Sequence, residues 1–275
     1  MIEILSHIFK AVYVLNATLL PLMWFIIPWV AIVFSVASSL FAFFDRRKAA
    51  IAFGICVPFI IFILIGGQWI LTLKPPMSTQ SDTRLWYSFF ASLAGLFTYL
   101  RWRYRWIMSF STVLVSVFLI LNFRSGSVSD ATLVPALQSP WFFPHVTVYM
   151  FSYSLLGCAF LVAVAGLFKQ ESESLRLLES ADTLIYIGLA FLTFGMLSGS
   201  IWAKSAWGHF WSWDPKETWA LVTWFVYALY IHLRIYRKGS VRVLCVLLIF
   251  AFACLQMCWW GINYLPSAAG SVHVY

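Results

Sequence analysis

Charge is what this sequence has least of. Charged residues make up 10% of its 275 positions, against 62% hydrophobic ones. A soluble domain carries about a quarter charged residues, so a soluble globular fold is excluded. Acidic residues are the scarcest, ten in all. None of the five cysteines falls in a CxxC or a CxxCH. That excludes a CxxC thiol oxidoreductase and a c-type cytochrome carrying its own attachment site. Cys254 and Cys258, one helical turn apart, read as buried small hydrophobes rather than as a redox pair. The first residues lack a basic stretch and a small-residue cleavage site, so no cleaved leader is expected. No separate soluble domain and no internal repeat stand out.

What fills the chain instead is apolar runs. They lie near residues 22–44, 49–72, 85–100, 106–123, 146–168, 183–202, 218–236 and 241–263. A bilayer core takes about 20 such residues. The runs are continuous rather than alternating, so they read as helices. The expected fold is all-α, a polytopic transmembrane helical bundle of about eight spans, in a lipid bilayer. Residues 2–20 are ambiguous. Glu3, His7 and Lys10 share one helical face, which suits a piece lying flat at the interface ahead of Pro21. The stretch KQESESLRLLESAD, residues 169–182, reads as a polar connector.

The net charge of +8 requires no nucleic acid to explain it. Twelve of the eighteen basic residues fall on one set of connectors, including Arg46, Arg47, Lys48, Arg101, Arg103 and Arg105. Basic loops stay on the cytoplasmic side. Both termini, the 124–145 loop and the tryptophan-rich loop are therefore expected on the extracytoplasmic face.

That tryptophan-rich loop, WGHFWSWDPKETWALVTW over residues 207–224, is the densest chemistry in the chain. Asp214, Pro215 and Glu217 form a helix start: N-cap, proline at the first helical position, and acid at the third. The two acids read either as caps with no further chemistry or as participants in chemistry at the loop. Six tryptophans lie between 202 and 224: Trp202, Trp207, Trp211, Trp213, Trp219 and Trp224. Interfacial tryptophans are common, yet this clustering also suits stacking on a flat apolar ligand. Lys204 and Lys216 flank it, either as plain interfacial lysines or as partners for carboxylates on such a ligand.

Five histidines complete the inventory. His145 closes an external loop ending SPWFFPH, and His273 lies in the tail GSVHVY. Each reads as a solvated interface histidine or, together, as two imidazoles that could ligate one iron across a planar macrocycle. His232 lies eighteen residues past Asp214, about 27 Å along a helix, and so at the cytoplasmic end of its span. An ionisable residue there is a functional candidate or a histidine snorkelling to the inner interface. His209 is a polar loop residue or a ligand. His7 is read as structural.

These residues also resemble a known family. WGHFWSWDPKETWALVTWFVYALYIHLR is similar to the WWD signature of the CcsA (ResC) cytochrome c synthetase family of haem-handling membrane proteins. LVPALQSPWFFPHVTVYMFSYSLLG, MLSGSIWAKSAWG and GINYLPSAAGSVHVY match it in order. KETWALVTW favours this branch over the haem-delivery relative CcmC. The resemblance covers roughly residues 131–275, the haem-handling core with its WWD loop at 202–224. Residues 1–130 form an N-terminal transmembrane region that matches mostly in hydropathy.

The resemblance implies an integral membrane haem carrier and cytochrome c haem lyase. It would present haem b, in the ferrous form, to the CxxCH thiols of apocytochrome c on the outer face of a bacterial cytoplasmic membrane. It implies Trp202, Trp207, Trp211, Trp213, Asp214, Trp219, Trp224, Lys204 and Lys216 as the haem platform. His145 and His273 map to the external axial ligands, and His232 to an inner haem site. The family completes that inner site with a histidine from a CcsB (ResB)-like membrane partner, so such a partner is implied. The family's tail has His followed by Ser-Tyr, where this chain has His273-Val274-Tyr275. A haem exporter that hands haem to a chaperone without ligation is the alternative activity. A structural membrane protein with an interfacial tryptophan belt is the alternative without haem.

Overall fold

Helices form where the apolar runs lie. The structure, a computed structural model, describes residues 2–72, 75–77, 79–124 and 139–266; of residues 2–22, 71, 80 and 124 it describes the backbone alone. Among the described residues there is no strand, and eight α-helices follow one another. They are α1 (Ile2–Phe43), α2 (Arg47–Thr72), α3 (Gln80–Trp102), α4 (Arg105–Arg124), α5 (Phe142–Leu167), α6 (Glu171–Trp207), α7 (Pro215–Ile235) and α8 (Val241–Trp259). A 3-10 turn, Gly261–Tyr264, follows α8. The chain is an integral membrane protein with a polytopic helical fold.

Seven of these helices, rather than the eight expected, are long and apolar enough to cross a membrane. The exception is α3, whose first turn carries Gln80, Ser81, Asp82 and Thr83. At 23 residues it still runs about 35 Å, alongside α2 and α4. Two other expectations shift. The helix α1 runs unbroken from Ile2 through Pro21 to Phe43, with no break before the proline. The side chains of Glu3, His7 and Lys10 lie outside the described residues. The polar stretch 169–182 is helical from Glu171 onward, not a loop. Glu171 and Glu173 sit in the first turn, where acids oppose the helix dipole favourably. Ser174, Leu177, Leu178 and Ala181 give it a buried face.

The chain divides into two compact units, Met1–Thr132 and Leu133–Tyr275. In the first, α1 packs on α2 and α4, and α3 packs on α2 and α4. Close approach is made by small residues. A Cβ on Gly54 would lie 3.0 Å from Leu96 Cδ1 and 3.1 Å from Ser38 Oγ. Ala42, Ala50, Leu96, Tyr99 and Met108 form the core beside it. The α1–α2 and α3–α4 turns each use a left-handed residue, Asp45 and Arg103, both at φ 60°. Arg105 pairs with Asp45 at 2.8 Å, so these two basic turns lie at one end. At the other, Gln68 donates to Asp82 (3.1 Å), Trp86 to the Pro76 carbonyl (2.9 Å) and Asn122 to the Ser81 carbonyl (2.9 Å).

In the second unit α5 packs on α6 and α8, and α7 packs on α8 and α6. Large apolar side chains point outward along α8, with Val243, Val246 and Phe250 each more than half exposed. Ala251, Cys254 and Leu255 point inward. A helix in lipid gains nothing from hiding apolar surface, so Cys245, Ala251, Cys254 and Cys258 share the interior with leucines while large residues meet the acyl chains.

Candidate functional site

The four helices of the second unit alternate in direction. The start of α5, the end of α6, the start of α7 and the end of α8 therefore share one end, and side chains tie it together. The Ser139 and Ser205 hydroxyls are 2.8 Å apart. Cys258 Sγ lies 3.5 Å from the Lys216 carbonyl oxygen and 3.5 Å from the Tyr153 hydroxyl. Cys254 and Cys258 are both buried, and neither is in a disulfide.

The tryptophan-rich segment divides as its sequence indicates. Gly208, at φ 84°, ends α6, a left-handed position that glycine takes without a Cβ clash. Lys204 donates to its carbonyl at 2.7 Å and lies 5.5 Å over the Phe210 ring. At the start of α7 the Asp214 carboxylate accepts from the Lys216 N–H at 3.0 Å. Glu217 accepts from the N–H groups of Asp214 (3.2 Å) and Ser212 (2.8 Å). The two acids form a reciprocal capping box. Between the two N–H groups that Glu217 holds stands Trp213, at φ 59° and 68% exposed. That conformation costs a bulky residue about 1–2 kcal/mol, so the carboxylate keeps an indole displayed at a strained position.

The six tryptophans do not form one surface. Trp211 and Trp213 meet edge to face at 5.9 Å on the loop, beside exposed Phe210 and exposed His209. Trp202 is 1% exposed and packs between Phe142, Trp207 and His145, at 5.1, 4.7 and 5.4 Å between ring centres. Trp219 and Lys216 are half-buried in the first turns of α7. Trp224 lies deeper, donating to the Thr193 hydroxyl at 2.8 Å.

His145 sits in the first turn of α5, half-buried. Its Nδ1 is 2.9 Å from the Gly195 carbonyl oxygen. Its ring lies nearly parallel to Trp202, at 24°, and edge-on to Tyr149 at 4.8 Å. The close approach rests on a glycine stripe that composition alone does not reveal. Cβ atoms on Gly188, Gly195 and Gly199 would meet Leu156 at 2.7 Å, the Tyr149 ring at 3.2 Å and the His145 ring at 2.5 Å. Each step up α6 is matched by an equal step down α5, as two antiparallel helices in close contact require. The spacing of the glycines in IGLAFLTFGMLSGS was the available signal.

His232 is at the opposite end of α7, exposed, with its ring 4.6 Å from that of Tyr236. Two residues on, Arg234 donates to both oxygens of Asp182 from α6, and Tyr230 donates to Asp182 at 2.7 Å. This half-buried ion pair carries no local sequence signal. His273 lies outside the described residues, as does the His7 side chain. Among the described residues no three His, Cys, Asp or Glu side chains gather as a metal cage.

The family model described as cytochrome C assembly protein matches residues 14–269. Among curated proteins, the cytochrome c biogenesis protein CcsA of Guillardia theta is 31% identical over 287 residues, covering 91% of this chain and 92% of its own length. That of Trieres chinensis is 32% identical over 253 residues, 75% of this chain and 80% of its own. That of Prochlorococcus marinus is 36% identical over 174 residues, 50% of this chain and 55% of its own.

Proposed function

This chain belongs to the cytochrome c assembly protein family, and we propose that within cytochrome c biogenesis it carries haem and catalyses its covalent attachment to apocytochrome c. Haem is here the substrate: an iron taking two axial ligands, in a flat ring with two vinyl groups and two propionates. The observation that carries the reading is His145. A carbonyl oxygen can only accept, so the 2.9 Å contact to Gly195 puts a proton on Nδ1 and leaves the lone pair on Nε2. An imidazole in that state can ligate iron through Nε2, and it stands at the same helix ends as the exposed aromatics Phe210 and Trp213.

The chain's residues divide the work. His145 supplies one axial nitrogen, and His273, whose segment closes the chain, supplies the other. Trp211 and Trp213 offer stacking faces from the loop, with Trp219 at the start of α7. Trp202 backs His145, and Trp207 packs edge-on against Trp202. Lys204 and Lys216 lie where cations can pair with propionates. Thiols of a CxxCH then add across the vinyl groups; each addition forms a C–S bond and passes the thiol proton to the neighbouring vinyl carbon. His232, at the other end of α7, belongs to an inner site that a CcsB (ResB)-like partner completes. The platform faces outward across what in a bacterium is the cytoplasmic membrane.

Co-expression with an apocytochrome and a CcsB-like subunit tests the reaction. Covalent haem staining of the cytochrome is the expected result. Haem bound to this chain without covalent product would instead make it a carrier that delivers haem without ligation.

A further inference from the structure

The Gly195 carbonyl has a second side-chain donor. Ser198, buried at 2% exposure, gives its hydroxyl hydrogen to the same oxygen that His145 Nδ1 reaches, at 3.1 Å. On the next residue, Gly199, a Cβ would lie 2.5 Å from His145 Cε1 and 2.6 Å from Nδ1. One turn of α6 therefore contacts the imidazole through an acceptor, a competing donor and a gap. Trp202, one turn further along, closes one face of the ring.

We infer that Gly195, Ser198 and Gly199 form a positioning device for His145, in which the gap sets the ring's place, the carbonyl sets its tautomer, and the Ser198 hydroxyl sets how strongly Nδ1–H is drawn. This rests on the reading of His145 as a haem ligand. The partner of a ligand's second nitrogen controls its orientation and basicity. A helix carbonyl that shares itself between two side-chain donors, besides its own turn's N–H, draws on each less strongly than one with a single side-chain donor. The Ser198 hydroxyl thus keeps His145 a weaker electron donor, and a weaker donor favours ferrous over ferric iron. Ferrous iron is the state thioether formation needs. Ser198 and Gly199 touch no substrate and act through His145.

The test has a haem-free arm and a haem-bound arm. In haem-free protein labelled with 15N-histidine, at a pH where imidazole is neutral, His145 should carry its proton on Nδ1. A proton on Nε2 overturns the inference whatever the fate of the haem reading. Ser198→Ala should move the His145 15N resonances and, in haem-loaded protein, lower the reduction potential. Unchanged resonances and potential overturn the role of Ser198. Gly199→Ala should displace the ring, and added imidazole should restore the parent haem spectrum. A parent-like spectrum without imidazole contradicts the gap. If parent protein binds no haem while the tautomer is as expected, the haem reading has failed and the hydrogen-bond geometry has stood.

Discussion

The indole of Trp202 lies against the imidazole of His145, ring centres 5.4 Å apart and planes 24° from parallel. Trp202 is one of the least exposed large side chains in the protein, so the nearest tryptophan to the histidine is its wall. Removing the wall should have two effects. Trp202→Ala leaves a cavity costing about 3–5 kcal/mol, read as a lower melting temperature in detergent. It also frees the His145 ring. Trp202→Phe should recover most of the stability, with haem affinity falling further than stability does.

Asp182→Ala strands the Arg234 guanidinium, since both side chains are only 16% exposed. Breaking one partner of a fully buried pair costs about 3–5 kcal/mol, and this half-buried pair should cost less. Arg234→Ala should destabilise comparably. The double variant should lose less than the two single losses combined, because the stranded charge is gone. A thermal denaturation cycle measures this.

Glu217→Ala should loosen the loop around Trp213 by releasing the Ser212 and Asp214 N–H groups, seen as faster hydrogen exchange at residues 209–214. Glu217→Gln keeps an accepting oxygen and should be milder. Asp214→Ala removes the N-cap and should cost about 0.5–2 kcal/mol of stability.

His232→Ala should leave stability within about 0.5 kcal/mol, since the ring is exposed and such substitutions rarely matter to folding. A fall in covalent cytochrome yield at unchanged protein level would then report lost function rather than lost fold. The spectrum of haem held at His145 should be unaffected.

Helix positions were legible because a bilayer demands long apolar runs, and seven were met in full. The eighth, α3, carries polar residues along its length, from Gln80 and Asp82 to Arg101, and does not meet the same measure. The helical start of α6 was hidden because a polar stretch outside a bilayer reads as loop unless its i, i+3, i+4 pattern is followed. Within the site, Asp214 and Glu217 were readable as caps, since capping is local chemistry. The burial of Trp202 was not, because it depends on α5 crossing α6 at Gly195 and Gly199. Asp182 and Arg234 pair across 52 positions, beyond the reach of any local pattern.

Haem ligation by His145 at the outer platform is read in the visible spectrum of protein purified from haem-replete cells. The expected result is a Soret band of low-spin haem in the parent, lost or shifted in His145→Gly and regained with added imidazole. A parent protein without a Soret band, or a His145→Gly spectrum identical to the parent's, would contradict it.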